Sequence, residues 1–280
     1  MQGYTRRKVI DCIARWGSLA MVLLAIVPLV AVLGYLVMKG FGGLSWSFLV
    51  ELPKPVGETG GGMANALMGS AIMVGMACLF GLPVGLLGGV YLAEFGDNTF
   101  AKCVRFCTDV LAGVPSITVG IFVYTLIVLS MRRFSALAGA VALAILMLPI
   151  VMRTTEELLR LVPTTLREAG LALGLPKWRV ILGVVLRTGA SGIATGIMLA
   201  VARVAGETAP LLFTAFGSRF VSLKLDQPMG SLPVQIYTYA VSPYEDWHRQ
   251  AWAAALVLVL LVLALNLLAR VLTRKPGQGR

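Results

Sequence analysis

Five stretches of about twenty or more residues carry no Asp, Glu, Lys or Arg: 16–38, 59–93, 110–131, 134–152 and 250–269. A sixth apolar stretch, 188–216, is broken only by Arg203 and Glu207. Crossing a hydrocarbon layer of ~30 Å takes about 20 apolar residues as a helix. No strand-like alternation runs through these stretches, which argues against a membrane barrel. Helices satisfy their backbone groups internally, as lipid demands. The expected fold is therefore all-α: a polytopic membrane bundle of six transmembrane helices. Hydrophobic residues make up 58% of the chain and charged ones only 13%, about half the usual share for a soluble domain. That balance excludes a soluble enzyme, a disordered tail and a disulfide-rich secreted scaffold. The net charge of +11 would suggest nucleic acid in a soluble protein, but here the charges sit between the apolar runs, so lipid is the expected partner and nucleic acid is not.

The distribution of Lys and Arg sets the expected orientation. With the N-terminus inside, the inner segments collect Arg6, Arg7, Lys8, Arg15, Lys102, Arg105, Arg153, Arg160, Arg167, Lys177, Arg179, Arg187, Arg270, Arg274, Lys275 and Arg280. The outer segments hold fewer, among them Lys39, Lys54 and Arg219, so both ends are expected inside. Arg132 and Arg133 oppose the trend and are assigned to a very short outer turn. The expected organisation is a cytoplasmic N-terminus at 1–15, one transmembrane domain at 16–270 containing an inner loop at 154–187, and a cytoplasmic tail at 271–280. Arg6-Arg7-Lys8 reads as anchoring charge, because the run after it is too long for the apolar core of a cleaved signal.

Little in the sequence carries chemistry. Cys12, Cys103 and Cys107 fall on the inner side or its border, where thiols stay reduced. Cys103 and Cys107 are one helical turn apart, without a His or third thiol nearby. His248 is the only histidine. No catalytic residue and no metal site is expected. No phosphate-cradling Gly-x-x-x-x-Gly-Lys-Ser/Thr run occurs, so any ATP hydrolysis belongs to a partner.

The inner loop is more informative. Leu166, Ala169, Gly170 and Leu173 recur at helical spacing. Pro163-Thr164-Thr165 looks like a helix start, with Glu168 near the positive end, and Gly174 and Pro176 stop the helix. A short amphipathic helix of about three turns follows. Two roles fit it: a surface helix resting on lipid headgroups, or a docking helix inserted in a partner's groove.

The run Glu168-Ala169-Gly170, three residues, Gly174, nine residues, Val184-x-Leu186 resembles the Glu-Ala-Ala loop of ATP-binding-cassette (ABC) importer permeases. It departs at Gly170 for the second Ala, Val184 for Ile and Arg187 for the closing Pro. The segments around Gly113–Tyr124, Leu148–Glu156 and Ala202–Thr214 are similar to phosphate importer permeases. So are Gln227-Pro228, Leu232–Tyr237 and Asn266–Arg270, which fit the A-type of the two paralogous subunits. The resemblance implies a type I importer permease architecture in the bacterial cytoplasmic membrane. It implies ATPase coupling through Glu168, Ala169, Gly170 and Gly174. It also implies a paralogous permease as heterodimer partner, two ATPase subunits that bind ATP and Mg, and a periplasmic or extracellular phosphate-binding protein. Other oxyanions such as sulfate, molybdate or a phosphonate remain alternatives, and a secondary transporter a more distant one.

Charges within spans are costly and mark function by default. Arg203 lies 15 residues past Thr188, ~22 Å along a helix, and Glu207 follows one turn later. They form either a structural ion pair or a path in which Arg203 meets inorganic phosphate and Glu207 competes for it. Arg153 is either an interfacial anchor or the inner exit of that path. Asp109 is read as structural, capping the third span or pairing with Arg105. Gly189, Gly192 and Gly196 would let a neighbouring helix approach closely, and Pro83 and Pro210 would kink their helices.

Overall fold

The computed structural model describes residues 2–55, 57–58 and 60–273, without the side chains of 2–5, 270, 272 and 273. The tail charges Arg274, Lys275 and Arg280 lie outside the described residues. In chain order the helices are α1 (Gln2–Gly40), α2 (Trp46–Val50), α3 (Ala64–Glu94), α4 (Thr99–Gly113), α5 (Ser116–Met131), α6 (Ala136–Arg160), α7 (Thr164–Ala172), α8 (Lys177–Ala205), α9 (Ala209–Thr214), α10 (Leu232–Ala240) and α11 (Glu245–Thr273). Among the described residues there is no strand. Five of these helices, α1, α3, α6, α8 and α11, are long and apolar enough to span a membrane.

The sixth expected span is not one straight helix. α4 and α5 meet at 104°, so the apolar run 110–131 is divided between them. Pro115 removes a backbone donor and holds Val114 extended, at φ −69° and ψ 131°. The run 188–216 is also divided: α8 ends at Ala205, and the short α9 starts with Pro210 in its first turn. Pro210 therefore begins a helix rather than kinking one, whereas Pro83 lies inside α3. Arg132 and Arg133 do form a tight turn, with Arg132 left-handed at φ 53°.

Lipid gives helices no hydrophobic reason to associate, so close backbone packing must do the work. α3 lays Gly81, Gly85 and Gly89 against Ala144, Val151 and Thr155 of α6. A Cβ on Gly85 would sit 2.9 Å from the Val151 Cβ. α8 packs on an adjacent face of α6, with Gly192 against Leu158 and Gly196 against Thr154. Met73, Leu143, Met147, Val204 and Leu211 fill the core between these helices. Two helices carry π-turns, Tyr124–Val128 in α5 and Ile181–Val185 in α8; in α8 the Leu186 N–H reaches back five residues to the Ile181 carbonyl.

The end of the bundle carrying α7 is here termed the loop end, and the opposite one the far end. At the far end, the N–H groups of Ser135, Ala136 and Leu137 donate to the carbonyls of Thr214, Gln227 and Leu225. This satisfies the orphan donors at the start of α6. Phe48, Met63, Leu232 and Ala254 close that end with a second apolar cluster. α1 is tied in near the far end, where Tyr35 meets Trp252 edge-on at 5.2 Å and Gly40 lies on Leu256. Toward the loop end its side chains are exposed.

Candidate functional site

α8 presents one exposed stripe away from its own chain: Thr188, Ser191, Thr195, Leu199 and Arg203, at three- and four-residue spacing. A lipid-facing stripe would be apolar, and three of these residues carry hydroxyls. The Thr188 and Thr195 hydroxyls donate to the carbonyls of Val184 and Ser191, which makes them tolerable in a span. Arg203 heads the stripe with its side chain 57% exposed.

Arg203 and Glu207 do not share one helix as expected. Glu207 lies beyond Ala205, in the break before α9. The Arg203 Nε stands 3.6 Å from the Glu207 Oε1, an ion pair without a hydrogen bond. The guanidinium is therefore lightly held and keeps donors free. Gly196 packs at the level of Thr154, so Arg153 lies about 10 Å closer to the loop end than Arg203, by the rise of a helix. The Arg153 Nε donates to Glu157 at 2.9 Å, and its Nη1 lies 3.6 Å from Asp109. Asp109 thus faces Arg153. It lies in the last turns of α4, where it cannot cap a helix start, and Arg105 is engaged elsewhere.

The Arg105 Nε donates to Glu156 at 2.6 Å, and its two other nitrogens donate to the carbonyls of Gly96 and Leu92. Arg160 reaches the same carboxylate oxygen at 2.9 Å. Glu156 is 3% exposed, so this is a buried carboxylate between two cations that ties α3, α4 and α6 together. Sequence reasoning missed it. The four-residue step from Glu156 to Arg160 is readable, but Arg105 lies 51 positions away.

The loop helix α7 spans nine residues, somewhat shorter than three turns. Glu168 sits in its second turn rather than at its positive end, exposed and without an ion pair among the described residues. Ala169, Leu171 and Leu173 are exposed too, while Gly170 is buried against Val180. Gly174, at φ +76°, closes the helix: its N–H donates to Leu171, and that of Leu175 to Gly170. Arg167 also escaped the sequence. Its Nε and Nη2 donate to the Glu94 carboxylate at the end of α3, at 3.0 and 2.9 Å. The same guanidinium donates to the carbonyls of Leu159 and Val162 at the end of α6. Lys177 adds a bond to the Glu94 carbonyl and lies over the Phe95 ring. Glu94, Arg160, Arg167 and Lys177 line a cavity of about 380 Å³ at this joint. α7 therefore presents an apolar, acidic-tipped surface outward and is riveted to two span ends behind. Among the described residues no group of three His, Cys, Asp or Glu converges on a metal site.

A multi-pass helical bundle with one cation heading a hydroxyl-lined stripe, and one exposed helix riveted to its span ends, is built as a transport permease. The chain belongs to the family of binding-protein-dependent transport system inner membrane components, whose profile matches residues 85–277. It is 47% identical over 275 residues to the phosphate transport system permease protein PstA of Yersinia pestis, covering 98% of this chain and 92% of that one. The PstA of Haemophilus influenzae is 49% identical, with 84% and 83% covered, and that of Mycobacterium leprae 40% identical, with 94% and 88% covered. Among solved structures, an inward-facing MetNI methionine ABC transporter superposes with a TM-score of 0.60 at 18% identity, covering 76% of this chain and 93% of that one. The fold is that of ABC importer permeases, and the chain is a membrane component rather than an enzyme.

Proposed function

We propose that this chain is the membrane-spanning permease subunit of an ATP-driven inorganic phosphate importer in a bacterial cytoplasmic membrane. The observation that carries the reading is Arg203, a lightly paired guanidinium heading the stripe of α8, in a chain similar over nearly its whole length to phosphate transport permeases. A guanidinium offers a planar fork of donors that matches two oxygens of a tetrahedral anion. Glu207 competes for it, so the anion is bound briefly and released. Arg153, nearer the loop end, forms the inner exit.

In this reading the loop end and both termini face the cytoplasm. A paralogous permease completes the path, two ATPase subunits bind ATP and Mg²⁺ beneath, and a soluble binding protein delivers phosphate outside. α7 docks into an ATPase subunit through Glu168, Ala169 and its exposed leucines, while Gly170 and Gly174 shape the helix. Closure of the ATPase dimer moves α7, and the Arg167–Glu94 joint passes that motion to α3 and α6. The test is binding-protein-dependent ATP hydrolysis by the assembled complex in liposomes, with phosphate, sulfate and molybdate in turn. Stimulation by phosphate alone is expected. Stimulation by another anion overturns the cargo, and failure to recruit an ATPase overturns the machine.

A further inference from the structure

The cavity of about 380 Å³ at the loop end lies where three spans terminate. Glu94 is the last residue of α3, Arg160 the last of α6 and Lys177 the first of α8, and all three line it. α7 closes one side with Thr164, Arg167 and Leu171. By the turn of about 100° per residue, Ala169 and Leu173 point the other way. The outward surface of α7 and the cavity are thus separate faces of one helix.

Three cations line the cavity against one carboxylate. Arg167 neutralises Glu94. Arg160, half exposed, shares the Glu156 carboxylate with Arg105. Lys177 has no carboxylate partner among the described residues. Its Nζ donates to the Glu94 carbonyl at 3.0 Å and lies 4.0 Å from the centroid of the Phe95 ring. An ammonium has three N–H groups, and this carbonyl takes one of them. Arg105, Arg160, Arg167 and Lys177 therefore meet only Glu94 and Glu156, which leaves two positive charges in surplus around the joint. Thr164 adds a hydroxyl to the same wall.

We infer that this cavity binds a phosphate group, carried on the headgroup of an anionic phospholipid. Charge-assisted donors suit a phosphate oxygen, and basic pockets between spans at a membrane face are where such headgroups lodge. The apolar part of the wall, Ala93 and Leu171, favours a lipid as the source. A free phosphate is hydrated on every side and gains nothing from apolar contact, whereas a headgroup brings a glycerol and acyl chains. The first turns of α8 also expose Trp178 and Leu182, and Trp at a span end sits at headgroup level. A headgroup lodged here touches α3, α6, α7 and α8 at once, so the lipid becomes part of the joint. The inference goes beyond the transport reading and needs from it only that the loop end lies at a membrane face.

The test places the assembled complex in lipid nanodiscs, where both faces meet the reagent, with a Thr164→Cys reporter in the cavity wall. Labelling by an uncharged maleimide is followed in phosphatidylcholine alone, in phosphatidylcholine with phosphatidylglycerol, and in phosphatidylcholine with inorganic phosphate in solution. The complex without the reporter supplies the background from the exposed Cys12, Cys103 and Cys107. Phosphatidylglycerol should slow labelling several-fold, and Lys177→Gln, which keeps a donor for the Glu94 carbonyl, should remove most of that protection. Arg179→Gln should keep it, because Arg179 is exposed near Lys177 but does not line the cavity. No labelling in phosphatidylcholine alone, no protection by phosphatidylglycerol, full protection in Lys177→Gln, or equal loss in the two variants overturns the site. Protection by inorganic phosphate equal to that by phosphatidylglycerol keeps the phosphate-group site and overturns the lipid as its source. Phosphate uptake by the parent complex with its binding protein is measured separately. Uptake without protection removes the lipid site and leaves the transport reading standing, whereas protection without uptake does the reverse.

Discussion

Arg167 and Glu94, 73 positions apart in sequence, meet in hydrogen bonds of 2.9 and 3.0 Å, and the same guanidinium bonds two carbonyls at the end of α6. One side chain thereby joins the loop helix to two spans. Lysine has a single charged nitrogen and cannot occupy all of these acceptors. Arg167→Lys is expected to leave the ATPase bound but to lower phosphate moved per ATP about tenfold, as the loss of one or two charge-assisted bonds implies. The ratio of uptake to hydrolysis in proteoliposomes measures this, and a wild-type ratio would count against the joint.

Arg203→Gln keeps a polar group on α8 but removes the charge that would meet the anion. Uptake should fall by at least about tenfold, the scale of one lost charge-assisted contact, while the complex assembles normally. Normal uptake by this variant would take Arg203 out of the path.

Glu168→Lys inverts the charge on the outward surface of α7. Because Glu168 has no partner within the described chain, the permease itself should fold unchanged. The ATPase subunit should be lost on co-purification. Retention of the ATPase at wild-type stoichiometry would sink this docking role.

Glu156→Ala strips the carboxylate from between Arg105 and Arg160. Removing one partner of a buried pair leaves an uncompensated charge and costs about 3–5 kcal/mol. Thermal unfolding of the purified subunit in detergent should shift down by several degrees. Glu157→Ala, whose partner Arg153 is half exposed, should shift it far less. Equal shifts would refute the distinction.

What the sequence discloses depends on how locally each feature is encoded. α1, α3, α6 and α11 are legible because lipid requires long uncharged runs. The bend at Val114-Pro115 and the break at Glu207 are not, because the residues on both sides are equally apolar and hydropathy cannot separate one span from two helices. Gly174 and Pro176 mark the end of α7 because a left-handed position and a proline are local requirements. Arg203 stands out because charge within a span is rare. The partners of Arg105 and Arg167 depend on tertiary contacts across 51 and 73 positions, and no periodicity encodes those.

The π-turn at Ile181–Val185 holds one residue more than an α-helical turn would. It sits between the riveted base of α8 and the stripe that ends in Arg203. Deleting one residue there would let a regular α-helical turn take its place and leave Arg203 on its present bearing, because the π-turn fits five residues where an α-turn fits four. In a helix without that turn, the same extra residue would swing everything beyond it by about 100° around the axis. The bearing of the cation thus depends on a backbone turn that absorbs one residue as much as on the arginine itself.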